Sequence, residues 1–222
     1  MGRAARIAQT QGLGRPVRTY RQAFPLWFPA LFVVMAVVIV GATALNPTLG
    51  VGVKAAGAAV PLVALGVIWW VIADVRLVLC EGGILVGRFF PLLTPYAFPY
   101  RAIEPRGVTC VSDVGRLPSA TGRTYGSTLF HLPQSRRGLV LDGPLPAQAR
   151  VRGGAVSQVM DTGADTVRGG KLWAFAYRGA PEELVSTLQR GMLAQQVPHA
   201  EALPRIALPE RAVADGVNGL AR

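Results

Sequence analysis

The chain has 222 residues, 51% of them hydrophobic and 16% charged, and Arg supplies all but two of its 23 basic side chains against 12 acids, a net charge of +11. So apolar a composition excludes a disordered charged segment, and two cysteines exclude a disulfide scaffold. With about 50 residues in two apolar blocks, the remainder suffices for one modest soluble domain and two tails.

Residues 1–22 carry Arg3, Arg6, Arg15, Arg18 and Arg21 and no acid. Polar and without apolar periodicity, they read as a flexible basic arm lying near a membrane surface. Residues 23–74 read as a two-helix transmembrane hairpin. Its first block, residues 24–45 (FPLWFPALFVVMAVVIVGATAL), is about the ~20 residues a span needs, and residues 55–73 (AAGAAVPLVALGVIWWVIA) come close to it. Neither block shows the polar stripe of a soluble core helix. Ala42-Thr43-Ala44 has the small-x-small form of a cleavage site, but the apolar run before it exceeds the ~7–15 residues of a signal peptide and a second block follows. Small residues gather toward the turn at 46–54 (Gly41, Ala42, Ala44, then Gly52, Ala55, Gly57), which predicts the closest helix packing there. No ionisable residue lies within either span, which argues against an ion or proton path through this hairpin alone.

Orientation follows from charge. Lys54 is the sole charge between the helices, while the arm before them and the 17 basic and 11 acidic residues after them are net positive. The positive-inside bias puts both termini in the cytoplasm. Tyr20, Phe24, Trp27 and Phe28 at one end of the hairpin, with Trp69 and Trp70, form an aromatic belt on the same side. Arg15, Arg18, Arg21 and Arg76 flank that side and are the candidate contacts to anionic lipid headgroups. Ala, Gly and Arg enrichment with almost no Lys suggests a GC-rich bacterial genome, hence a multi-pass protein of a bacterial plasma membrane.

From Asp74 the period changes to two. Strands are predicted over 75–80, 84–90, 106–112, 124–132, 137–141 and 172–178, with one or two weak ones within 143–170. The run 172–178 alternates, placing Trp173, Phe175 and Tyr177 on a core face. Pro181, Glu182 and Glu183 then start a helix whose Leu184, Val185, Leu188 and Met192 form one apolar stripe. Residues 198–222, with Pro204 and Pro209, read as an extended or disordered tail. Cys80 and Cys110 read as small buried hydrophobes in strands.

The order of elements resembles bacterial membrane proteins with a pleckstrin-homology-like domain. The residues that carry the likeness are Leu77-Val78-Leu79 before Glu81-Gly82-Gly83-Ile84, the stretch Pro99-Tyr100-Arg101-Ala102-Ile103, which looks like that family's "IPW..I" segment, and Trp173-Ala174-Phe175 followed by Pro181-Glu182-Glu183-Leu184 and Leu188. The likeness covers roughly residues 25–195. Tyr100 stands where that family usually has Trp, and the first hairpin turn lacks the basic residues with which eukaryotic members grip phosphoinositides. The resemblance implies a membrane α-helical hairpin plus an α+β domain at 75–197, a small antiparallel PH-like split β-barrel with a C-terminal capping helix. It also implies binding rather than catalysis.

No P-loop, dinucleotide fingerprint, H-E-x-x-H or G-x-S-x-G occurs, and no metal-ligand spacing is present. Ser157, Asp161, Asp165 and Arg168 share one Gly-rich loop, which reads as solvated. The arginines are dispersed, without an aromatic platform for nucleic acid. The expectation is therefore a non-catalytic accessory or scaffold protein without cofactor, nucleic acid or small-molecule substrate, packing on other membrane-protein subunits. The alternative is a lipid-handling or transport-associated component contacting anionic headgroups. The segment 89–100 concentrates Phe89, Phe90, Leu92, Leu93, Tyr96 and Phe98 among prolines that keep it out of a central strand. A domain of six short strands cannot cover them all, which makes them the candidate partner-binding surface.

Overall fold

The computed structural model describes residues 2–48, 50–91, 93–117, 128–150 and 171–213. Helix α1 (Arg3–Thr10) and strand β1 (Pro16–Arg21) precede two long helices, α2 (Trp27–Leu45) and α3 (Val51–Ala73). Then follow β2 (Val75–Cys80), β3 (Gly83–Arg88), β4 (Tyr96–Pro99), β5 (Thr109–Val111), β6 (Leu129–Phe130) and β7 (Gly138–Gly143). A helical turn α4 (Pro146–Ala149), strand β8 (Lys171–Ala176), helix α5 (Pro181–Ala194) and a short α6 (Leu203–Ala207) complete the described chain.

The strands form two four-stranded sheets, ordered β1-β2-β3-β4 and β5-β7-β8-β6. All pairings are antiparallel except β6 with β8. Between the sheets lies the main core: Leu77, Ile84, Val86 and Phe98 from the first meet Leu139, Leu141, Trp173 and Phe175 from the second. Helix α5 closes one end of it with Leu184, Val185, Leu188 and Met192, the stripe its spacing predicts. At the corners the sheets touch through Gln22 bridging to Tyr177 and Tyr96 to Arg150.

Two expectations need correction. The arm expected at 1–22 is folded over residues 2–22: β1 is an edge strand of the first sheet, with Tyr20 opposite Leu77 and Arg21 opposite Arg76. Helix α1 lies on that sheet's outer face, where Ala4, Ile7 and Ala8, at i, i+3 and i+4, pack with Leu13 against Val78, Cys80, Leu85, Phe89 and Ala97. Eight residues make a marginal helix in water, so the sheet stabilises it. The domain thus begins before the long helices rather than at residue 75. The start of the tail is ordered too, because Ala200, Leu203 and Ala207 are buried in the main core. Beyond them Arg211 bridges to Val111, and Val213 packs on the second sheet's outer face with Leu172, Ala174 and Ala176. The proline-rich stretch keeps to the edge, as expected: β4 is the last strand of the first sheet, with Pro99 at its end, where a missing N–H leaves the ladder intact. Of the stretch 143–170, expected to hold one or two weak strands, residues 144–150 hold the helical turn α4 and the Arg150 bridge, while 151–170, with Ser157, Asp161, Asp165 and Arg168, lie outside the described residues.

Helices α2 and α3 are long and apolar enough to cross a membrane, and most of their side chains are exposed. They leave the domain between β1 and β2, two neighbouring strands, so the two-helix hairpin takes the place of a β-hairpin's turn. At the domain end, Trp69 packs against Phe24, Phe28 and Phe32 with ring centroids 5.0–5.9 Å apart. At the far end Lys54 Nζ donates to the carbonyl of Ala44 at 3.0 Å. The expected small-residue seam reduces, among the described glycines, to Gly57, whose Cβ position stands 3.6 Å from Thr43; Gly41, Gly52 and Gly66 face open space. Pro61 is accommodated within α3.

Candidate lipid-facing site

Two residues of the predicted partner surface, Phe98 and Phe89, lie inside the domain. Phe98 is buried in the main core and packs on Trp173 with centroids 5.1 Å apart, and Phe89 is buried beneath α1. Tyr96 is half-buried, edge-on to Trp173 at 4.9 Å, and Phe90 is edge-on to Trp70 of α3 at 5.1 Å. Leu93 is half-buried and its carbonyl accepts a hydrogen bond from Arg3 Nη2 at 2.9 Å. Leu92 lies outside the described residues. The expectation assumed that six strands alone had to cover these side chains. The N-terminal segment adds a helix and a strand, and α3 adds an aromatic anchor, so Phe89 and Phe98 find dry environments without a partner.

Of the four arginines expected at headgroups, Arg21 and Arg76 stand opposite each other, while Arg15 and Arg18 lie further along the edge strand. Arg18 pairs with Glu183 of α5 at 2.5 Å, and Arg76 pairs with the buried Asp74 at the end of α3. Both guanidinium groups therefore already face a carboxylate. Beneath the Arg18 pair, burial raises the Tyr20 phenol above its usual range. Arg15 sits at the opposite end of β1 from the long helices, its backbone N–H donating to Glu81 Oε2 at 2.9 Å. Arg21, exposed and opposite Arg76, remains at the helix end of the sheet.

A different set of residues meets at the foot of α2. Three segments converge there. The linker 22–26 is held by Ala23 N–H donating to the Ala176 carbonyl at 3.0 Å. The turn before β7 is tied by Leu132 N–H to Ser135 Oγ and Ser135 N–H to the Leu132 carbonyl, both 3.0 Å, with Gln134 in the left-handed region at φ 65°. It carries Arg136 and Arg137 outward. After β8 the chain reverses at Gly179, whose φ of +128° an L side chain rarely adopts, and this turn carries Arg178.

Together they enclose a groove of about 810 Å³. Phe24, Leu26 and Trp27 make its apolar wall and Arg136, Arg137 and Arg178 its polar one, with no acidic side chain lining it among the described residues. Arg137 Nε pairs with Glu210 at 3.2 Å while its side chain stays half exposed. Among the described residues neither Arg136 nor Arg178 faces a carboxylate, and both are exposed. Leu26 is 86% exposed and Trp27 40%, an apolar edge beside three guanidinium groups. Such a surface matches a ligand with one anionic and one apolar part. Behind the turn His131 is buried, and burial pushes its imidazole below the usual range.

Sequence reasoning missed this groove. Its signal was present, since Arg136-Arg137 and Arg178 each sit beside turn residues, but nothing local says that three turns meet. Among the described residues no group of three His, Cys, Asp or Glu side chains stands where it could hold a metal ion. Cys80 and Cys110 are buried free thiols, pushed up by burial to about 12 and about 11. No protein-family model matches the chain, and neither does a curated protein or a solved structure.

Proposed function

We propose that this protein is a non-catalytic scaffold of a bacterial plasma membrane, crossing it twice with both termini cytoplasmic, and that its PH-like domain is held at a set attitude against the inner surface. The observation that carries this reading is the insertion of the helical hairpin between paired strands β1 and β2. Two strand-to-helix junctions a single strand spacing apart, reinforced by the Trp70–Phe90 contact, tie the domain to the helices far more stiffly than one linker would. A module built for reach would place a flexible chain there. This one is built for position.

The helices also support the partner class. Their outward surface is apolar, and Gly41, Gly52 and Gly66 leave open space where another helix backbone can approach. Other membrane-protein subunits are the partners this surface suits.

Isolation of the full chain in mild detergent, followed by native mass spectrometry, tests the reading. Stoichiometric membrane-protein partners are expected. Gly41→Ile with Gly66→Ile should release them while leaving the protein's own melting temperature unchanged, because neither position touches the rest of the chain. Recovery of the wild type alone from the membrane would refute the scaffold role. For topology, a cysteine at position 48 should react with an impermeant maleimide from outside and one at position 10 should not.

A further inference from the structure

We propose that the groove at the foot of α2 is a binding site for one anionic glycerophospholipid of the surrounding bilayer. The inference rests on the membrane placement proposed above and goes beyond the scaffold reading, since it assigns a ligand to a site that scaffolding does not require.

Depth comes first. Trp27 opens α2 and Trp70 stands near the end of α3, so the two indoles mark one level across the hairpin, the level at which membrane aromatics gather. The groove mouth lies at that level, and its apolar wall is continuous with the lipid-facing side of α2 through Leu26 and Trp27. An acyl chain lying along α2 therefore brings its glycerol to Leu26 and its phosphate to the arginines just beyond.

Charge then selects the lipid. Arg136, Arg137 and Arg178 stand together; among the described residues no acid lines the groove, and Glu210 is bound to Arg137. A guanidinium binds phosphate oxygens through two parallel N–H donors. A zwitterionic lipid carries an ammonium that would face these three cations, whereas an anionic lipid with a neutral headgroup tip does not. The volume of about 810 Å³ falls within the ~300–1,000 Å³ of small-molecule sites, enough for a phosphoglycerol headgroup with the first part of its chains.

The test uses the full chain in nanodiscs of phosphatidylcholine holding equal minor fractions of phosphatidylglycerol and phosphatidylethanolamine, with co-purifying lipid read by mass spectrometry after transfer to mild detergent. The wild type should retain phosphatidylglycerol at about one per chain, at least tenfold over phosphatidylethanolamine. Arg136→Gln/Arg137→Gln/Arg178→Gln should lower that retention at least tenfold, as Leu26→Gln should in part. A charge-matched variant at exposed positions outside the groove, Arg101→Gln/Arg106→Gln/Arg205→Gln, should keep it. Equal retention by the groove variant and wild type would overturn the proposal, as would equal capture of the two lipids or displacement by inorganic phosphate. A chain that enters nanodiscs but shows no lipid preference removes this site alone; one that fails to enter removes the membrane placement as well.

Discussion

Gly191 lies within α5, where a glycine costs about 1 kcal/mol relative to alanine. Replacing an exposed helical glycine by alanine ordinarily stabilises a protein. Here the sign should reverse. A Cβ at position 191 would stand 2.6 Å from Cζ and 2.7 Å from Oη of Tyr100, and closer still to Cε2. The Tyr100 ring cannot retreat, because it is fully buried and its hydroxyl donates to the Cys80 carbonyl at 2.8 Å. Overpacking against a fixed ring falls at the upper end of the ~1–3 kcal/mol typical of such changes. Subtracting the propensity gain leaves Gly191→Ala destabilising by about 2 kcal/mol, or roughly 4–8 °C in melting temperature for a domain of this size. In a Tyr100→Leu background the obstacle is gone, and the same substitution should become neutral or stabilising by up to about 1 kcal/mol. Equilibrium unfolding of the four proteins in one detergent, followed by circular dichroism, measures the cycle. Gly191→Ala raising stability in the native background, or acting equally in both, would refute the contact between the helix and the Pro99–Ile103 turn.

Trp173→Ala should cost about 3–5 kcal/mol, since the ring is buried among Tyr96, Phe98 and Phe130 and its Nε1–H donates to the Pro144 carbonyl at 2.9 Å; denaturant titration reads this. Cys80 and Cys110 should resist maleimide at pH 8 in the folded protein and react fully once it is denatured, because burial holds both thiols protonated; labelling of either at the denatured rate would contradict their placement. His131 is neutral by burial, so the unfolded chain takes up its proton first as pH falls. Stability from this residue is therefore fully present above about pH 6.5 and declines below it, and His131→Gln should flatten the melting-temperature profile in that range. The Arg18–Glu183 pair is about half exposed at both ends, and breaking it with Arg18→Gln should change stability by less than about 1 kcal/mol.

The long helices, β2, β3, β7, β8 and α5 were legible because each declares its own period over six residues or more: apolar throughout, alternating, or striped every third and fourth residue. Strand β5 was legible only in part, since residues 105–107 form a helical turn instead. Helix α1 and β1 were not, for a physical reason. RAARIAQT carries three alanines and one isoleucine as its apolar residues, and PVRTYR buries Tyr20 alone. Neither would hold its shape without the sheet, and the sheet is built from residues more than 50 positions further on. That one omission left Phe89 without a cover in the reading of 89–100, since a domain lacking α1 and β1 has nothing to lay over it. The groove was illegible for a related reason: Leu26, Arg136 and Arg178 come together only after both sheets have closed.

The placement of the long helices between β1 and β2 also sets an order of events during synthesis. β1 leaves the ribosome first, yet its partner emerges only after about 50 more residues, roughly 3–10 s later at ~5–20 residues per second. Over that interval it is an open strand edge, and its two arginines and leading proline are the residues that discourage wrong pairing. In a hairpin that spans a membrane as proposed, closure would then depend on the route the hairpin took. If only one helix crosses, β1 and β2 end on opposite sides of the bilayer and the first sheet has no way to assemble. With the membrane placement proposed above, folding of the domain would act as a check on insertion, since only a chain with β1 and β2 on one side can bury Leu77 with Trp173 in the main core.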